Sequence, residues 1–131
     1  METNKKLIGH DDLLYQLIEL HKKNILPKKI LFTGNKGIGK FNLVNHFINF
    51  IFSQNEEFKY DLKNLIINNN NRSFQLFKKN IHPNIFLIKK NKDKKYIDIS
   101  QIRDMINFQN RSSFNNNMKF VIIENVSDLN L

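Results

Sequence analysis

Residues 33–42 read TGNKGIGKFN, and the run from Gly34 to Lys40, GNKGIGK, fits the phosphate-cradling pattern GxxxxGK. Three of the chain's four glycines, Gly34, Gly37 and Gly39, fall within six positions. A loop that wraps phosphate must turn backbone N–H groups inward, through dihedrals that glycine adopts and other residues resist. Lys40 would then reach the terminal phosphates, and the N-terminus of a following helix would add a favourable dipole. The candidate nucleotide-binding residues are therefore Gly34, Asn35, Lys36, Gly37, Ile38, Gly39 and Lys40. The bland alternative is a glycine turn that only joins a strand to a helix.

The flanks decide between these. KKILFT, residues 28–33, reads as a short apolar strand leading into the glycines. From Lys40 onward Leu43, Val44, Phe47, Ile48, Ile51 and Phe52 recur at helical spacing. Strand, glycine loop and helix in that order are the context the pattern requires. Upstream, DDLLYQLIEL sets Leu13, Leu14, Leu17, Ile18 and Leu20 toward one side of a helix, with Asp11 and Asp12 at its positive end.

Downstream, residues 53–80 are polar, include NNNN at 68–71 and show no clear period, which suggests an insertion with some helix and a flexible turn. Pro83 precedes NIFLIKK, a second short strand, and KNKDKK forms a charged turn. In YIDISQIRDMINFQN, Ser100 is placed to cap a helix that carries Ile102, Met105, Ile106 and Phe108 inward. MKFVIIEN supplies a third strand, FVII, ending at an acidic residue. Strands separated by helices argue for an α/β fold with a mainly parallel sheet.

Two positions speak against hydrolysis. The residue after the loop lysine normally offers a hydroxyl to magnesium, but here it is Phe41, followed by Asn42. The acidic strand end that should hold the metal and activate water reads Glu124–Asn125, and an asparagine cannot serve as a general base. No catalytic residue is assigned. His82 beside Pro83 reads as a fixed strand entry, Asp98 and Ser100 as helix capping, and most phenylalanines as core.

With 131 residues, 40% hydrophobic and 25% charged, the chain has the length and composition of one folded domain. It contains no cysteine, which excludes disulfides, thiol catalysis and cysteine-ligated zinc. His10, His21, His46 and His82 show no metal-ligand spacing, so no metal site is expected. No stretch approaches the roughly 20 apolar residues of a membrane span, and the N-terminus lacks a secretory pattern, so a cytoplasmic location is expected. The net charge is +9, yet arginine occurs only at 72, 103 and 111, alanine is absent, and asparagine and isoleucine abound. That profile follows from A/T-rich codons, and the charge is read as compositional rather than as a DNA-facing surface.

LIGHDDLLYQL, PKKILFTGNKGIGK, HPNIFLI, IDISQIRDMINFQNRSSFNNNMKFVII and ENVSDLN occur in this order over nearly the whole chain. In this succession the chain resembles the N-terminal part of the delta-prime subunits of bacterial DNA polymerase III clamp loaders, members of the AAA+ family. The glycine loop alone is generic; the HP strand entry, the QIR helix start and the KFVII strand are more specific. The resemblance implies a P-loop AAA+ type three-layer sandwich with a mainly parallel sheet, and a stator subunit without nucleotide hydrolysis. It implies as partners the other subunits of a hetero-pentamer, the sliding clamp indirectly and primer–template DNA. ATP or ADP binding is expected to be weak or absent. Many relatives carry a zinc-binding cysteine cluster where this chain has residues 53–80, and here zinc is not expected.

The resemblance also leads us to expect a domain incomplete at its C-terminus, since Leu131 follows closely on the acidic strand end and a sensor strand, lid and collar domain would come next. Such a chain should expose sheet edges and aggregate or stay molten alone. Two other functions fit parts of the sequence: an active AAA+ ATPase using Glu124, and a basic nucleic-acid-binding module.

Overall fold

The computed structural model describes residues 5–129. Four α-helices and two strands follow one another as α1 (Asp11–Lys22), α2 (Lys40–Ser53), α3 (Arg72–Lys78), β1 (Ile85–Ile88), α4 (Ile99–Asn110) and β2 (Phe120–Ile123). Single 3₁₀ turns lie at Phe114–Asn116 and Val126–Asp128. The chain forms two compact units, Met1–Gln75 and Leu76–Leu131.

In the first unit α1 and α2 pack together. Leu14, Leu17 and Ile18 of α1 meet Leu43, Phe47 and Phe50 of α2, and Leu7, Tyr60, Ile67 and Phe74 complete the cluster. Leu13, expected inward, is exposed. It sits one residue, or about 100°, around the helix from Leu14, and a stripe that buries 14, 17 and 18 turns it outward.

The expected strand at 28–33 does not form: among the described residues this run pairs with no neighbour, and Leu31 is 69% exposed. An apolar run becomes a strand only where another chain segment accepts its ladder, and among the described residues none does so here. Phe32 alone of this run packs on the core.

The polar insertion is more ordered than its composition suggests. Lys5 to Leu7 lie antiparallel to residues 65–67, with Leu7 N–H donating to the Leu65 carbonyl at 2.9 Å and Ile67 N–H to the Lys5 carbonyl at 2.8 Å. The four asparagines do not form a slack turn. Asn68 Oδ1 accepts from Asn70 N–H, and Asn71 caps α3 by accepting from Phe74 N–H at 3.0 Å. Buried Asn71 also exchanges amide hydrogen bonds of 3.2 Å with Asn49 of α2.

Asn49 belongs to a polar stripe along α2. His46 meets the Tyr60 hydroxyl at 2.7 Å, and the Ser53 hydroxyl accepts from Tyr60 N–H at 2.9 Å. Residues 45, 46, 49 and 53 are all buried and lie on one helical face. This face, which an apolar-periodicity reading passes over, docks the insertion onto the helix.

In the second unit β1 and β2 pair in parallel, Ile85 opposite Phe120 through Ile88 opposite Ile123. Backbone bonds from Phe120 to Asn84 and from Glu124 to Ile88 extend the ladder at both ends. The α/β character with parallel pairing agrees with the sequence, but two strands replace the expected three among the described residues. Helix α4 lies against β1, with the Phe86 and Phe108 rings 5.5 Å apart. Phe108 is its one buried side chain; Ile106, expected inward, is exposed. The helix begins at Ile99 rather than after Ser100, and Asp98 occupies the cap position without a side-chain cap bond; its carboxylate instead accepts from Asn91 at 3.2 Å.

Candidate functional site

The glycine loop leaves residue 33 and turns back at Asn35, whose carbonyl accepts from Ile38 N–H at 3.4 Å. Gly37 (φ +88°) and Gly39 (φ +92°) lie in the left-handed region, while Ile38 between them does not. Alternating handedness of this kind curls successive N–H groups toward one concave side, which is how a backbone nest receives an anion. Gly39 is then the cap of α2, and Lys40 its first residue, with no acidic side chain in that turn to repel a phosphate.

Lys40 Nζ donates to the Gly34 carbonyl at 2.8 Å, so the ammonium closes over its own loop. Asn35, Lys36 and Ile38 are exposed. A Cβ on Gly34 would stand 2.3 Å from Ile38 Cδ1, the end of an exposed side chain that can swing away, so it is the φ of +152° that favours glycine here.

A residue the sequence reading did not assign joins the loop from outside. His10 Nε2 donates to the Ile38 carbonyl at 2.5 Å, and its ring would be 3.8 Å from a Cβ at Gly39. His10 caps α1 with φ +60°, directly after Gly9 at φ +73°. The Gly–His pair ahead of the first helix was the only sequence signal for it.

The position after the loop lysine does not fit a magnesium ion. Phe41 offers no oxygen, and the side-chain oxygen of Asn42 is buried without a hydrogen-bond partner among the described residues. Among those residues no group of three or more histidine, aspartate or glutamate side chains is arranged to hold a metal.

The acidic strand end belongs to the second unit. Glu124 follows β2 and is exposed, its N–H donating to the Ile88 carbonyl at 3.0 Å. Asn125 is engaged in structure: its Oδ1 accepts from the Ser127 hydroxyl at 2.7 Å and the Ser127 N–H at 3.3 Å, capping the turn Val126–Asp128. His82 shapes the entry to β1, its Nδ1 accepting from Asn84 N–H at 3.1 Å, and burial lowers its pKa to about 4. The buried Asn84 side chain reaches in turn to the backbone of Phe114, accepting from its N–H at 2.8 Å and donating to its carbonyl at 3.0 Å.

Among the described residues no helix is long and apolar enough to cross a membrane. No curated protein matches the chain. The family model for "DNA polymerase III, delta subunit" matches residues 9–131, a span that opens at the Gly9–His10 pair, takes in the glycine loop and reaches past the acidic strand end. By that match, which covers nearly the whole sequence, the chain belongs to the DNA polymerase III delta-subunit family.

Proposed function

We propose that this protein is a structural, non-hydrolysing subunit of a clamp loader, a delta-prime-type stator that works with its sister subunits in the cytoplasm to place a sliding clamp on primed DNA. Membership of the DNA polymerase III delta-subunit family supports the replication role. The observation that carries the stator reading is the chemistry at the first turn of α2. On this reading the glycine nest and Lys40, which folds back on the Gly34 carbonyl, would receive phosphate oxygens, yet Phe41 takes the place of the metal-binding hydroxyl.

Asn125 adds to this. Its amide has no proton-accepting role to offer a water, and it is engaged with Ser127. A glycine loop followed by Phe41 can hold phosphate oxygens through backbone N–H groups and one ammonium, but it cannot fix the cation that offsets charge developing in phosphoryl transfer. ATP or ADP should accordingly bind weakly and without help from magnesium.

The test is ATP turnover by the purified protein, with Lys40→Ala as control. We expect none above background. Magnesium-dependent hydrolysis that disappears in Lys40→Ala would refute the stator reading and favour an active ATPase using Glu124.

A further inference from the structure

Building on the phosphate-loop reading above, we propose that His10 is a positioning residue of the glycine loop, which sets the Ile38–Gly39 peptide so that the Gly39 N–H faces a bound phosphate. The Ile38 carbonyl can only accept, so the imidazole nitrogen 2.5 Å from it must carry a proton, and His10 acts here as an Nε2–H donor. A trans peptide is planar, with its C=O and N–H on opposite sides. Holding the Ile38 oxygen toward the imidazole therefore turns the Gly39 N–H to the other side.

Without that anchor the peptide has little reason to stay put. Gly37 and Gly39 flank Ile38, and each has access to both signs of φ, so this part of the loop is the easiest to flip. A flip would exchange an inward N–H for an inward carbonyl, which repels an anion.

His10 is itself firmly held. It starts α1, its carbonyl accepts from Leu14 N–H at 3.0 Å, and Leu14 is completely buried. Its own φ of +60° is unusual for a residue with a side chain, and such a backbone persists only where the surroundings over-determine it. The ring also stands beside Gly39, the residue whose N–H it aims: a Cβ added there would lie 3.8 Å from it. A simple helix start needs none of this: α1 receives no side-chain cap bond from His10.

The test compares wild type, His10→Phe and His10→Gln as full chains. Phenylalanine keeps a ring and loses the donor; glutamine keeps a donor at similar reach. Nitrogen-15 spectra of the wild-type imidazole report the tautomer, amide relaxation reports the order of Gly39, and titration with inorganic pyrophosphate reports the nest. We expect a proton on Nε2, a less ordered Gly39 amide in His10→Phe with recovery in His10→Gln, and about five-fold weaker pyrophosphate binding in His10→Phe, the effect of one lost hydrogen bond.

An Nδ1–H tautomer with a bare Nε2 would overturn the proposal, as would a His10→Phe protein whose Gly39 amide stays as ordered as in wild type. Should wild type bind no pyrophosphate while the tautomer and Gly39 order come out as expected, His10 is confirmed as the residue that sets this peptide and the phosphate-loop reading fails instead.

Discussion

Asn71 shows how much a single polar side chain can hold. It is fully buried, caps α3 and exchanges two amide bonds with Asn49 of α2. Asn71→Ala removes a helix cap, worth about 1 kcal/mol, and leaves a buried amide on Asn49 without its partner. We expect a loss of about 2 to 3 kcal/mol in chemical denaturation, and a much smaller further loss when Asn49→Ala is added, because the orphaned group is then gone. Additive effects of the two changes would show that the pair does not act as a unit. His82 gives a second prediction at this scale. Burial lowers its pKa from 6.5 to about 4, so the folded protein refuses a proton that the unfolded chain accepts. Its neutral form matches in both states above pH 6.5; stability should fall as the pH drops from about 6.5 toward 4, and then level off. His82→Asn keeps an acceptor for Asn84 N–H and should flatten that part of the stability–pH curve.

Elements that announce themselves by period or composition were legible in the sequence, and those made by long-range pairing were not. Helices α1 and α2 follow from repeated apolar spacing, and β1 and β2 from short apolar runs behind a proline turn and a lysine. The glycine loop could be placed to the residue because glycine and lysine at fixed spacing carry a backbone geometry with them. His10 could not, since its partner carbonyl lies 28 residues away. The docking of residues 53–75 was illegible for the same reason. It rests on buried His46, Asn49 and Ser53, which a search for apolar stripes treats as gaps. The strand expected at 28–33 failed in the opposite direction, since local composition supplied the run but nothing local supplies a pairing partner. In sequence Lys119 is only the residue before the FVII strand, whereas in the fold its side chain covers the C-terminal end of α4. Its ammonium donates to the Phe108 and Arg111 carbonyls and lies over the Phe108 ring. A cation on the last carbonyls of a helix satisfies groups that have no partner within the helix and complements its dipole. Lys119→Met keeps the stem and removes these bonds; we expect a loss of about 1 to 2 kcal/mol, read by thermal denaturation, with far-ultraviolet dichroism showing the helices retained. An unchanged melting temperature would show the ammonium contact to be idle.

At the scale of the molecule the two units share one weakness, which is apolar or hydrogen-bonding surface without cover among the described residues. In the first unit Ile8, Ile25 and Leu31 are 82%, 60% and 69% exposed. In the second, β1 and β2 pair only with each other, so each leaves its outer edge open among the described residues. Parallel strands normally lie inside larger sheets covered on both faces, and a two-stranded sheet is marginal in water. Open edges and bare aliphatic side chains also favour association with other chains. The 131-residue protein alone should therefore bind a hydrophobic dye in its folded buffer, melt over a broad range and aggregate more as its concentration rises. Differential scanning calorimetry decides the matter. Domains of full cohesion unfold with about 0.7 kcal/mol per residue near 60 °C, and we expect a markedly smaller and broader heat. A sharp transition with the full enthalpy and no dependence on concentration would mean that these surfaces are covered within the single chain, and the partner-dependent role proposed for it would lose its structural motive.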